Sequence, residues 1–146
     1  MKKNNDKTPT KNKEEKVFDN VRIQWYPGHM ARARREISEA IKLVDVVIEL
    51  VDARIPVASR NPILNEIIGD KPRVIALNKA DLANSEDTKH WINQYKANGQ
   101  VAVEVNSNIG TGINNVLNAI YDLMKEKLEK KEKQGLVGAS VKAMVV

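Results

Sequence analysis

A chain of 146 residues, 42% hydrophobic and 29% charged, has the length and balance of one soluble globular domain with room for a true core. It holds no cysteine, which excludes disulfides and thiolate metal sites, and no apolar run reaches the length of a membrane span, so a cytoplasmic protein without a membrane partner is expected. The net charge of +5 is unevenly placed: residues 1–44 carry eleven Lys/Arg against six Asp/Glu and residues 45–146 carry thirteen of each, which points to a polyanionic partner for the first third.

Residues 1–20 are polar and without periodicity, as expected of a mobile basic arm ahead of a domain spanning 21–146. Residues 21–26 are short and amphipathic and end in Trp25-Tyr26. Pro27-Gly28 then turns the chain into a helix whose apolar stripe is Met30, Ala33, Ile37, Ile41 and Val44. Arg32, Arg34 and Arg35 fall on the remaining surface. A solvated lysine-rich tail accounts for residues 1–16 but less well for these arginines, so they are the expected RNA contacts. His29 sits at the amino end of the helix, where the macrodipole disfavours positive charge. Taken alone, it is most simply a helix-start residue bonding a nearby carbonyl.

Residues 45–51 form the next strand, continuous in Val, Ile and Leu apart from Glu49, and end in Asp52-Ala53-Arg54-Ile55-Pro56. Asp52 and Arg54 there are either site residues or structural, as an ion pair or a capping carboxylate. Asn61 caps a helix with Pro62 at its first position and Gly69 at its end, and its buried face is Ile63, Leu64, Ile67 and Ile68. Residues 73–77 read as a strand buried on both faces, closing on Asn78-Lys79-Ala80-Asp81.

Ligands bind past the carboxyl ends of the strands in parallel sheets, and Asn-Lys-x-Asp at that position suits guanine. Guanine offers two adjacent donors, N1–H and the exocyclic amine, and an ionised Asp81 can accept both. Asn78 can donate to the acceptor edge and tie the loop together, while the stem of Lys79 can lie across the base. Adenine has no N1 donor and would leave the carboxylate unpaired. The alternative is a simple turn in which Asn78 and Asp81 bond their own backbone. The strand context favours guanine.

Ser85 is the next expected N-cap, with Glu86 and Asp87 in the first turn, Thr88, Trp91, Ile92 and Tyr95 inward, and Asn98-Gly99 as the stop. Residues 101–105 alternate as an edge strand does and lead to a polar loop, Asn106-Ser107-Asn108-Ile109-Gly110, on the ligand side. Thr111 begins a helix with Ile113, Val116, Leu117, Ile120, Met124 and Leu128 inward, and its charged last turns are a solvated extension. Residues 141–146 have a strand pattern that runs to the last residue. Helix, three βα units and a strand imply an α/β fold: a parallel sheet covered on both faces, in three layers.

Three motifs together resemble a known family: Trp25-Tyr26-Pro27-Gly28-His29-Met30, the run from Asp52 through Ile55-Pro56 to Ser59-Arg60-Asn61-Pro62, and Asn78-Lys79-Ala80-Asp81. They are similar to the circularly permuted GTPases, most closely the bacterial ribosome biogenesis GTPases that act in large-subunit assembly. The resemblance covers residues 21–146. It implies a sheet of the P-loop GTPase type in permuted order, with residues 74–77 between 45–51 and 101–105, and with 141–146 on the far side of 45–51. It implies GTP or GDP as ligand, Mg2+ in a complete family protein, and the large ribosomal subunit and its RNA as partner. Asn78, Lys79 and Asp81 match the base-specificity motif. Ser107 and Asn108 match a second guanine-contacting loop that usually reads Ser-Ala. His29 matches a histidine proposed to position the attacking water.

The sequence holds no G-x-x-x-x-G-K-[ST] and no D-x-x-G, so nothing in it cradles phosphates or holds magnesium. The expectation is therefore a domain truncated before the phosphate loop, binding GTP weakly and inactive in hydrolysis by itself. The competing reading is a non-enzymatic RNA- or ribosome-binding α/β module in which the Asn78–Asp81 loop is a structural turn. A dehydrogenase-like protein is set aside, because no G-x-G-x-x-G is present.

Overall fold

The computed structural model describes residues 28–136, 138 and 140–146. The expected arm, the stretch 21–26 and the Trp25-Tyr26-Pro27 part of the first motif lie outside the described residues. The chain divides into two compact units, residues 1–33 and 34–146, and the second carries the sheet.

The elements are α1 (Gly28–Lys42), β1 (Val46–Asp52), α2 (Pro62–Ile68), β2 (Arg73–Asn78), a single 3-10 turn (Ala80–Leu82), α3 (Ser85–Ala97), β3 (Val101–Glu104), α4 (Ile113–Lys133) and β4 (Ala143–Val145). The four strands are all parallel, in the order β3-β2-β1-β4. This is the expected order, with β3 at an edge and β4 beyond β1. Parallel strands buried on both faces need apolar side chains at every position, and β2 supplies them: Val74, Ile75, Ala76 and Leu77 are all buried. Each such Val, Ile or Leu contributes about 1.5–3 kcal/mol when removed from water.

One face of the sheet carries Val47, Glu49 and Val51 of β1 beside Ile75 and Leu77 of β2. It is covered by Ile37 and Ile41 of α1, by Leu64 and Ile68 of α2, and by Tyr95, Trp91 and Ile92 of α3. The other face carries Val46, Val74 and Ala76, packed against Val116, Ala119, Ile120 and Met124 of α4. Coverage of that second face is incomplete among the described residues: Leu50 is 45% and Val145 60% exposed.

Several local expectations shift. Asn84, not Ser85, caps α3, because its Oδ1 accepts the N–H groups of both Glu86 and Asp87. The last helix begins at Ile113 rather than Thr111, since Gly112 occupies the cap with φ +85. Within this helix Ile113 and Leu117 are exposed, and Ala119 joins Val116, Ile120 and Met124 in the core. Met30 and Ala33 are exposed, whereas Ile37, Ile41 and Val44 of the same stripe are at least half-buried.

Two polar clasps hold the layers. Asp45 accepts the Lys142 amide at 2.9 Å and the Lys127 ammonium, pinning the start of β4 and the middle of α4 to the root of β1. Lys127 and then the Lys142 amide hold the Asp45 carboxyl below its ordinary value, against the opposing effect of burial. The second clasp is Glu49, only 2% exposed in the middle of β1. It takes Arg60 in a two-point fork, both contacts 2.8 Å, and Arg73 at 3.1 Å. Arg73 also donates to Asn65 of α2 at 2.8 Å, and the Arg60 guanidinium lies 5.5 Å over the Tyr95 ring of α3.

A carboxylate this buried is costly unless fully paired, and its pairing joins β1, β2, α2 and α3. Glu49→Ala should lower the stability of the chain by about 3 kcal/mol in urea unfolding, because two arginines lose their partner. Glu66→Ala, which breaks the exposed Arg34–Glu66 pair, should cost less than about 1 kcal/mol. Equal effects would show that burial of the Glu49 cluster contributes nothing.

Candidate guanine-recognition site

Parallel pairing aligns Asp52 with Asn78 and Leu77 with Glu104, so the loops after β1, β2 and β3 leave one rim of the sheet together. Asn78 is the last residue of β2 and half-buried. Its Oδ1 accepts the Ser107 N–H at 3.0 Å, 29 residues along the chain. The Ala80 N–H donates to the Val105 carbonyl at 3.2 Å. The two loops expected to read guanine are therefore cross-tied, and Asn78 does not spend its carbonyl on its own backbone. With that oxygen engaged, the amide nitrogen remains the group that can donate to a purine acceptor.

Lys79 adopts φ 59, the only positive value of a residue other than glycine among the described residues. It turns the chain sharply out of β2 and places Asp81 in the 3-10 turn. Asp81 is exposed, and its carboxylate takes no hydrogen bond or ion pair among the described residues. It lines an open cavity of about 340 Å³ with Ala80, Asn106, Ile109, Thr111 and Asn115. That volume lies at the low end of small-ligand sites, roughly 300–1,000 Å³. An unpaired carboxylate facing such a space can accept two adjacent donors.

The loop after β3 is built by residues the sequence did not single out. Asn106 pairs with Thr111 across the loop (N–H to carbonyl 2.9 Å), its own carbonyl accepts the Gly110 N–H, and its Oδ1 accepts the Asn108 N–H at 3.1 Å. Gly112 must be glycine: a Cβ there would lie 2.2 Å from the Glu104 carbonyl oxygen. The Asn-x-Asn and Gly-x-Gly spacings were the only sequence trace of this arrangement. Ser107 and Asn108 ride on it, both exposed.

At the end of β1, Asp52 and Arg54 do form the ion pair that was one of the two expectations. Arg54 donates from Nε and Nη2 to the two carboxylate oxygens at 2.9 and 2.7 Å, and from its backbone N–H at 3.0 Å. Lys79 Nζ joins at 3.1 Å, a contact the sequence did not suggest. Hydrogen bonds from the Arg54 side chain, then its amide, hold the Asp52 carboxyl well below the usual carboxylate range.

The remaining candidates stand on α1. His29 is exposed in its first turn, and Arg32, Arg34 and Arg35 are exposed further along. Arg34 donates to Glu66 of α2 at 2.8 Å. A basin of about 570 Å³ between the second half of α1 and α2 is lined by Arg34, Lys42 and Lys71, with Glu66 opposing them. Among the described residues no group of three His, Cys, Asp or Glu could hold a metal ion, and no helix is long and apolar enough to cross a membrane.

No protein-family model matches the chain. It is 48% identical over 124 residues to Ribosome biogenesis GTPase A of Bacillus cereus, a match covering 85% of this chain and 42% of that protein. The protein of the same name from Bacillus licheniformis is also 48% identical over 124 residues, 85% of this chain and 44% of the relative. A plant protein, Short integuments 2, mitochondrial, of Arabidopsis thaliana, is 38% identical over 112 residues, 77% of this chain and 29% of its own. Among solved structures, the crystal structure of GNP-bound YlqF from T. maritima superposes with a TM-score of 0.50 at 30% identity, over 61% of this chain and 36% of that one. The chain thus spans less than half the length of the curated relatives it matches. Over the stretch it shares with them, the chain is similar to the proteins named Ribosome biogenesis GTPase A.

Proposed function

We propose that this chain carries the guanine-recognising part of a GTP-binding GTPase of ribosome assembly. The observation that carries the reading is Asp81, an exposed carboxylate that has no partner among the described residues and lines a cavity beside the two loops joined by the Asn78–Ser107 bond. In this reading Asp81 accepts N1–H and the exocyclic amine of guanine, and Asn78 donates to the acceptor edge. Lys79 lies along the ring, and Ser107 and Asn108 close the site from the second loop. The names of the relatives support it, since they are ribosome biogenesis GTPases, and the similar solved structure is nucleotide-bound.

Phosphate chemistry belongs to the whole protein. No residue of this chain is assigned as a ligand of Mg2+, and the glycine-rich loop that would cradle phosphates is not in this sequence. His29 is proposed to position the attacking water in the complete enzyme only. The ribosomal partner is proposed to be RNA of the large subunit, contacted through Arg32, Arg34 and Arg35, and the cationic lining of the α1–α2 basin supports a polyanion there. The alternative of a purely structural Asn78–Asp81 turn is disfavoured, because Asn78 bonds across to Ser107.

In a complete protein that also holds the phosphate loop, exchanging Asp81 for Asn faces an amide donor toward the guanine amine and should weaken GTP about 10- to 100-fold. Xanthine has a carbonyl at that position, so the same variant should gain xanthosine triphosphate, while Asp81→Ala loses the first without gaining the second. Competition binding with both nucleotides decides it; identical ranking by wild type and Asp81→Asn would reduce Asp81 to a turn residue.

Neutralising Arg32, Arg34 and Arg35 together should weaken binding to large-subunit RNA and flatten its salt dependence by about one unit of slope per lost phosphate contact. An unchanged slope would show that these arginines contact no phosphate.

A further inference from the structure

Lys79 is the residue of the site with the most freedom to lose. Its stem has four rotatable bonds, and its ammonium is strongly hydrated. A lysine left free would have to be ordered at the moment a base arrives, which lowers affinity; a lysine already held does not. Here the tip is held. Asp52 Oδ2 accepts Lys79 Nζ at 3.1 Å. Asp52 is itself fixed from several directions. Arg54 forks onto both its oxygens, its backbone N–H donates to Ser59 Oγ at 3.0 Å, and the next residue, Ala53, donates to the Asn78 carbonyl at 2.8 Å. Its side chain is only 14% exposed. Strand register adds the last constraint, since Asp52 is the direct partner of Asn78 across β1 and β2. The left-handed φ of Lys79 swings its side chain back toward β1, and the carboxylate waiting there captures the tip.

We propose that Asp52, locked by Arg54, is a positioning residue of the guanine site, holding Lys79 so that the lysine stem forms a ready-made wall for the ring of the base. This rests on the guanine reading above. It assigns Asp52 and Arg54 a part in nucleotide recognition although neither reads the base. The expected signature follows from geometry: a wall acts on any purine ring, whereas the exocyclic amine is read by Asp81. Loss of Asp52 should therefore weaken guanosine and inosine, which lacks that amine, by the same factor and leave their ratio alone.

The test uses the chain with Asp52→Asn, isosteric and checked for fold by its amide spectrum, with Lys79→Ala and with both together. Without ligand, side-chain relaxation should show Lys79 more ordered than the exposed Lys96 in wild type and no different from it in Asp52→Asn. In titrations with guanosine and inosine at millimolar concentration, Asp52→Asn should lose about 3- to 10-fold for both. In the Lys79→Ala background it should lose nothing more, which a general disturbance of the 53–61 loop would not reproduce. Wild type binding guanosine with Asp52→Asn binding it equally well, or Lys79 equally ordered in both, overturns the role of Asp52 and leaves the guanine reading intact. A wild-type chain that takes up no guanosine removes the guanine reading, and this role with it.

Discussion

A buried negative charge in the middle of a strand is the constraint on which much of this structure turns. Glu49 interrupts an otherwise apolar β1, and a carboxylate so enclosed must be neutralised by what surrounds it. Arg60, just before α2, and Arg73, the first residue of β2, do so. Holding Arg60 fixes the far end of the loop after β1. Its neighbour Ser59 then accepts the amide of Asp52, and Asp52 in turn holds Arg54 and Lys79. An electrostatic requirement inside the sheet is thus transmitted, contact by contact, to the rim where a ligand would bind. The hydrogen bonds to Glu49 also raise the Arg60 guanidinium above its ordinary value.

The rim itself is organised by division of labour. Side-chain carbonyls hold backbone amides: Asn78 holds Ser107, and Asn106 holds Asn108. Glycine appears where the chain has no room for a side chain, as at Gly112. This leaves Asp81 with its acceptors free at the edge of a cavity that Asn106, Thr111 and Asn115 also line. An unpaired acceptor held in a rigid frame discriminates strongly among bases, because a base without the matching donor leaves it unpaired in a desolvated place.

Much of the architecture could be read from periodicity. The apolar run of 74–77 belongs to an inner strand, the alternating run of 101–105 to the edge, and the Asn61-Pro62…Gly69 frame to α2 within a residue. Sequence neighbours decide such features, so a sequence shows them. Asn84 and Ser85 are both able caps, and only the fold decides between them. α4 starts after Gly112, where a side chain would strike the Glu104 carbonyl, a contact between residues eight apart. Glu49 stood out as a charge in an apolar strand, but its partners lie 11 and 24 residues away, at spacings no local pattern encodes. The same is true of Lys79 on Asp52, 27 residues apart. In the candidate site, the proposed base-reading residues were legible from their motif, whereas the bond from Asn78 to Ser107, the part of Asn106 and the Asp52–Lys79 contact came only from the fold.

Chemical-shift mapping of the chain with guanosine and with adenosine tests most directly whether this rim is a guanine site. Guanosine should move the Ser107 amide and the signals of Asn78, Lys79 and Asp81, and adenosine should leave them in place, because its N1 has no hydrogen to give. If both nucleosides move the same signals, or if guanosine moves none of residues 78–81 and 106–112, the assignment of guanine recognition to this rim is contradicted.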